Sequence, residues 1–224
     1  MTTELWIVRH GQTKFNVEDR VQGMANSDLT DKGIADARAL GRGLAQDGIT
    51  FDRAYASDLT RAADTARLAL DAAGQERLAI TETVGLREEN YGKYEGQLTN
   101  DFSQELFGLP NFTAALLAHQ LTLAQIADAT RATNEDQVPN RAEDNAMVQN
   151  RLDQTLRTIG QEALGEGDRR VLAVSHGTAI LMWLNFIGFD TGGQEMLHNA
   201  SVTRVVFDGT RFTVVDFDDL KWTK

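Results

Sequence analysis

Leu5-Trp6-Ile7-Val8 and Val171-Leu172-Ala173-Val174 are two short apolar runs, and each leads through one polar residue into a histidine followed by a glycine. A run of this kind reads as a buried strand. The segments Arg9-His10-Gly11 and Ser175-His176-Gly177 therefore place two of the chain's four histidines where strands end. In open α/β sheets, ligands gather at the carboxyl ends of strands, so the pair predicts one shared crevice. Either histidine alone reads as an ordinary strand-end residue; the repeated context points to function. The glycines let the backbone turn tightly and approach a ligand. Gly177 also opens a predicted helix, whose first amides favour an anion.

The rest of the chain alternates between strand and helix patterns. Thr30 begins a helix with Ile34, Ala37, Leu40, Gly41 and Leu44 at helical spacing. Asp52–Ser57 reads as a strand, and Asp58 as the start of a helix carrying Ala62, Thr65, Ala66, Ala69 and Ala73, with Gly74 at its end. Leu78–Thr81 is a further short strand. A helix is expected over about Glu143–Glu162, a central strand over Arg170–Ser175 and a helix over Gly177–Ile187. Val202–Phe207 and Phe212–Phe217 flank Asp208-Gly209, a hairpin signal. Between about Gln97 and Asn140 the apolar spacing is helical but broken, with Pro110 and Pro139 marking turns. The expected architecture is α/β: three α/β/α layers on a mostly parallel central sheet, in a single domain spanning 1–224, with residues 97–140 inserted as a helical cap.

The chain has no cysteine, which excludes disulfides and thiolate chemistry. No basic leader, long apolar leader or membrane-length run is visible, so the expected setting is the cytoplasm, with no membrane partner. A formal net charge of -11 argues against nucleic acid as a partner. An anionic substrate remains compatible with it, because steering depends on local charge.

The motifs around the two histidines resemble those of the histidine phosphatase superfamily, in its phosphoglycerate mutase-like branch. Arg9-His10-Gly11-Gln12-Thr13 with Asn16 is similar to the family signature, and Gln22-Gly23, Asp28-Leu29-Thr30 and Gly33 follow in order. Ser57-Asp58-Leu59-Thr60-Arg61-Ala62 resembles the second arginine motif. Leu86-Arg87-Glu88 with Tyr91-Gly92 and Glu95-Gly96 resembles the acid-bearing motif. Ser175-His176-Gly177 and Asn199-Ala200-Ser201-Val202 complete the set. Two departures stand out: the proline common before Leu-Thr is replaced, giving Ser27-Asp28-Leu29-Thr30, and Glu143 lacks the glycine and serine that usually flank it.

The resemblance implies His10 as a nucleophile forming a phosphohistidine, Glu88 as general acid and base, and His176 as a third catalytic group. Arg9 and Arg61 would present planar guanidinium forks to the phosphate, with Asn16, Gln22, Gly23 and Gly177 completing its surroundings. Glu88 and Glu89 could also form a solvated acidic face, but motif position selects Glu88. His119 and His198 read as structural, and neither a metal nor a cofactor is expected.

The expected activity is hydrolysis of a small phosphate monoester, with a cofactor-dependent phosphoglycerate mutase as the alternative and a non-catalytic phospho-ligand module third. Between Lys93 and Arg131 there is no lysine or arginine. A highly charged bisphosphate finds no partner in that stretch, whereas Phe102, Phe107 and Phe112 suit a partly apolar ester. A small phosphorylated substrate is the expected partner, and a homodimer is left open.

Overall fold

A computed structural model of the chain describes residues 1–164 and 169–224. In chain order the elements are β1 (Thr3–Arg9), α1 (Lys14–Val17), α2 (Asp31–Gln46), β2 (Arg53–Ser57), α3 (Thr60–Ala72) and β3 (Ile80–Thr83). Then come α4 (Thr99–Phe107), α5 (Phe112–Leu117), α6 (Leu123–Thr133) and α7 (Asn145–Ala163). The chain finishes with β4 (Arg169–Ser175), α8 (Gly177–Phe186), β5 (Val202–Phe207) and β6 (Phe212–Asp219).

The strands form one six-stranded sheet in the order β3-β2-β4-β1-β5-β6. β3, β2, β4 and β1 run parallel, and β5 and β6 add an antiparallel edge. The fold is thus α/β with a mostly parallel sheet. Because strand side chains alternate, each apolar run feeds two cores. Leu5, Ile7, Val171 and Ala173 pack with Leu152, Leu156, Ile180 and Trp183 from α7 and α8. Trp6, Val8, Leu172 and Val174 pack on the opposite face with Leu40, Leu44, Ala62, Ala66 and Leu70 from α2 and α3. Each large side chain so buried contributes roughly 1.5–3 kcal/mol. A sheet covered on both faces forces apolar residues at every position, which is why these runs do not alternate with polar ones.

Helix boundaries follow from where capping groups are free. The Thr30 hydroxyl accepts from the Gly33 amide at 3.0 Å and starts α2, whose buried stripe is Gly33, Ala37, Leu40, Gly41 and Leu44. Ile34 sits at the margin of that stripe. The helix expected from Asp58 starts two residues later, at Thr60. The Asp58 carboxylate is spent on Arg87, at 2.7 and 2.6 Å, and does not cap. The strand expected at Leu78–Thr81 lies at Ile80–Thr83, because the Leu78 amide closes the turn after α3 by donating to Gln75 at 2.9 Å. Asp144 caps α7 by accepting from Met147 at 2.9 Å, so that helix starts just after Glu143. In the hairpin, Asp208 accepts the amides of Thr210 and Arg211 at 2.8 and 2.7 Å.

Helices α4, α5 and α6 fall within Gln97–Asn140. They share a small core of Phe102, Ala115, Leu116, Leu121 and Ile126 with Val21 and Tyr94. Among the described residues no helix is long and apolar enough to cross a membrane.

Candidate active site

The β1–β4 register pairs Arg9 with Ser175, so the next residue on each strand is one of the two histidines. The His10 amide donates to the Ser175 carbonyl at 3.0 Å, and the two imidazole centroids stand 5.2 Å apart. The crevice expected from the sequence is therefore formed. Behind it, the turn after β1 lies directly against α2. A Cβ on Gly33 would come within 2.1 Å of the Gln12 carbonyl oxygen, so only glycine permits this approach.

His10 is 3% exposed, and its Nδ1 lies 2.7 Å from the carbonyl oxygen of Gly11. A carbonyl can only accept, so Nδ1 carries the proton and Nε2 keeps its lone pair. Burial, reinforced by Arg61 and Arg9, holds the imidazole well below its ordinary value. Desolvation outweighs the arginine charges. His176 is fully buried, and burial with Arg61 and His10 keeps it neutral as well. Neither of its ring nitrogens has a hydrogen-bond partner among the described residues.

Arg61 reaches the site from the first turn of α3. Its two terminal nitrogens donate to Gly23 at 2.7 Å and Ala25 at 3.1 Å, and its Nε is unpartnered among the described residues. Burial pushes it down to about 10, so it stays cationic at neutral pH. Arg9 donates to the Leu197 carbonyl and likewise leaves Nε without a partner. Gly23 acts through its carbonyl on Arg61, and a Cβ there would come within 2.0 Å of the Glu89 carbonyl oxygen. Gln22 Oε1 accepts from Thr13 Oγ1 at 2.8 Å and Asn16 Nδ2 at 3.4 Å, leaving its buried Nε2 unpartnered. Asn16 is held in turn by Asn199, at 3.3 Å. Four neutral or cationic groups with unspent buried donors thus surround one place, a configuration suited to a phosphoryl group.

Glu88 is 5% exposed and Glu89 is fully buried, so the solvated acidic face considered from the sequence does not exist. The Glu88 carboxylate accepts from the amides of Thr178 at 3.1 Å, Ala179 at 2.7 Å and Glu89 at 3.1 Å. The first turn of α8 therefore spends two of its amides on this carboxylate, while Gly177 lies against Arg9. Burial raises Glu88 above the usual carboxylate range, and the backbone donors and Arg61 partly offset it.

Arg151 was invisible as a site residue in the sequence. From α7 it donates to the backbone carbonyls of Gly85, Arg87 and Glu88 at 3.2, 2.8 and 3.0 Å. The same guanidinium pairs with both oxygens of Glu143 at 2.8 and 2.9 Å, and Glu143 also accepts from the Asn90 amide at 3.1 Å. The clamp fixes the loop that carries Glu88. Its only sequence signal is the eight-residue spacing from Glu143, which lies just before α7. Ser27 likewise gains a role, accepting from the Phe15 amide at 3.0 Å.

The cavity over His10 is lined by Arg9, Asn16, Gln22, Glu88 and Gly177, with Arg61 and His176 buried behind them. Its opposite wall is apolar and comes mainly from α4, α5, α6 and α8: Phe102, Phe112, Leu116, Ile126 and Leu181. Tyr91 also lines it. Besides Arg9 the one cation on its lining is Arg20, which is paired with Glu18 at 2.7 Å. Of the remaining histidines, His119 follows α5 and His198 pairs with Asp218 at 2.6 Å.

The model of the histidine phosphatase superfamily (branch 1) matches residues 5–220. The chain belongs to the histidine phosphatase superfamily. Among solved structures, this histidine phosphatase superfamily member superposes on phosphoglycerate mutase from Bacillus anthracis str. Sterne with a TM-score of 0.87. Sequence identity there is 31%, over 99% of this chain and 95% of that one. Bacillus stearothermophilus YhfR gives a TM-score of 0.76 at 28% identity, over 99% and 100%. Curated relatives include the 2,3-bisphosphoglycerate-dependent phosphoglycerate mutases of Bradyrhizobium sp. (strain BTAi1 / ATCC BAA-1182) and Methylocella silvestris. The first is 40% identical over 97 residues, 43% of this chain and 47% of that protein. The second is 42% identical over 92 residues, 41% and 45%. The chain spans about half the length of the curated relatives it matches.

Proposed function

We propose that this chain hydrolyses small, partly apolar phosphate monoesters through a phosphohistidine on His10. In the first step Nε2 of His10 bonds to phosphorus and the ester P–O bond breaks. The departing oxygen takes the Glu88 proton, giving the free alcohol. In the second step water attacks phosphorus, gives its proton to Glu88, and the P–N bond breaks. His10 returns to its neutral form and inorganic phosphate leaves. Arg9 and Arg61 spread the developing charge, and His176 and Gln22 supply further donors.

The observation that carries the choice of substrate is the composition of the cavity wall. Phe102, Phe112, Leu116, Ile126 and Leu181 face the phosphate site, and no lysine or arginine comes from α4, α5 or the first turns of α6. In this reading Gln97–Asn140 is a cap that selects an apolar leaving group by desolvating it. A second charged group on the substrate meets Glu195 and the already paired Arg20.

Relatives named as phosphoglycerate mutases favour a second reading, in which the phosphohistidine is retained and returned to another oxygen. The same histidines and arginines serve both reactions, so only the acceptor differs. A product assay separates them. Phenyl and alkyl phosphates should release phosphate many-fold faster than 3-phosphoglycerate is isomerised in the presence of 2,3-bisphosphoglycerate. Isomerisation outpacing phosphate release would establish the mutase instead.

A further inference from the structure

Glu89 directly follows the proposed acid, and the chemistry above makes no use of it. Its side chain is fully buried, and its carboxyl oxygens make no hydrogen bond of ordinary geometry among the described residues, the Tyr91 hydroxyl offsetting only part of the burial. Its backbone amide donates to Glu88 Oε1 at 3.1 Å, so the two residues form one rigid unit. The titratable groups acting on it are Glu88 and Tyr91 from its own loop, Glu95 from the next turn and Glu143 from the approach to α7. Three of those four are acidic. The nearby cations are engaged elsewhere: Arg61 acts on Glu88, and Arg151 is taken up by Glu143 and the loop carbonyls. From α8 comes Thr178, beside the Tyr91 hydroxyl.

An ionised carboxylate in such a place has neither water nor a cation to hold its charge. Two carboxyls sharing one dry site do not both ionise. We propose that Glu89 is a positioning residue that keeps its own proton beside Glu88, so that the pair never carries more than one negative charge during turnover. Burial and the charge of Glu88 both push the Glu89 carboxyl far above the usual range, consistent with this arrangement. Two charges there would oppose a phosphate dianion in the cavity that Glu88 lines and would hold the Glu88 proton too tightly to release. The proton on Glu89 is a spectator: it stays in place while the proton on Glu88 moves to the leaving oxygen and back from water. The kinetic consequence rests on the phosphatase reading; the protonation state does not.

Infrared spectra of the wild-type protein, Glu88→Gln and Glu89→Gln at pH 7 test the state directly. The carbonyl band of a protonated carboxylic acid should appear in the wild type and persist in Glu88→Gln, where Glu89 is the member of the pair left to supply it, while a band left in Glu89→Gln belongs to the Glu88 acid. In the wild type, phenyl phosphate hydrolysis should fall at alkaline pH as Glu88 loses its proton and the pair takes up its one charge. In Glu89→Gln that limb should stay within about half a pH unit of its wild-type place, because the residue replaced carries no charge while Glu88 titrates. Absence of the band from Glu88→Gln overturns the proposal, as does a limb that moves down by about one pH unit or more in a folded Glu89→Gln, which would mean that Glu89 was charged. Should Glu89→Gln fail to fold, the wild type and Glu88→Gln spectra decide. Should no ester be hydrolysed, the phosphatase reading falls while the spectra still settle the state of Glu89.

Discussion

Arg151 on α7 donates to the Glu88 carbonyl oxygen at 3.0 Å, tying the proposed acid to a helix 63 residues away in the chain. The same guanidinium grips two more carbonyls of that loop and the Glu143 carboxylate. Replacing it with methionine frees the loop and leaves buried carbonyls without donors. Turnover of esters with poor leaving groups should drop on the order of 10–100-fold, with a smaller loss for p-nitrophenyl phosphate, which needs little protonation. Arg151→Lys should recover only part of the loss, since an ammonium cannot reproduce the fork. Equal losses for both ester types, measured as kcat, would mean the clamp supports folding only.

His10→Ala removes the proposed nucleophile, and turnover should fall below detection. Denatured wild-type protein, trapped during turnover of phenyl phosphate, should carry an acid-labile phosphoryl group that His10→Ala lacks. A labelled His10→Ala protein would move the nucleophile elsewhere.

The pH profile follows from two opposite shifts. His10 is held well below its ordinary value by burial and the arginines, so it stays neutral and reactive as pH falls below about 6.5. Glu88 is raised by burial, so it keeps its proton above the usual carboxylate range and loses it as pH rises. Hydrolysis of phenyl phosphate should therefore be retained into mildly acidic solution and decline on the alkaline side. Glu88→Gln should cost roughly 10²–10⁴-fold with phenyl phosphate and much less with p-nitrophenyl phosphate. A rate that rises steadily from pH 6 to pH 9 would remove Glu88 as the acid.

The cavity wall offers a specificity test that leaves the phosphate site intact. Phe112→Lys places a cation opposite His10 in a wall that has none from α5. The ratio of kcat/KM for a carboxylate-bearing ester to that for phenyl phosphate should rise about tenfold, equivalent to ~1.4 kcal/mol of differential binding. An unchanged ratio would show that the apolar wall does not contact the substrate.

Gly33→Ala probes the contact beneath the nucleophile. Its added methyl would sit 2.1 Å from the Gln12 carbonyl, a rigid backbone atom, so α2 and the β1 turn must separate. Stability should fall by about 1–3 kcal/mol, and activity should fall with it as Gln12 and His10 shift. By contrast Asp58→Ala breaks a pair whose side chains are 26% and 34% exposed, and should cost under ~1 kcal/mol. Thermal or urea denaturation ranks the two directly, and the reverse order would contradict the packing account.

The amino-acid sequence alone determined the two strands that end in His10 and His176, the stripe of α2 and the closing hairpin. Each of these depends on residues within a few positions of one another, where side-chain period and turn chemistry are written locally. The motif order was enough to single out Arg9, Arg61 and Glu88. Only the tertiary structure decided that Asp58 serves Arg87 rather than capping α3, that Arg151 holds the acid loop, and that Glu89 lies in the dry interior beside Glu88. Those outcomes depend on partners brought together across tens of residues. A short stretch containing Glu88-Glu89 reads the same whether water or protein covers it, and the docking of α7 and α8 decided which.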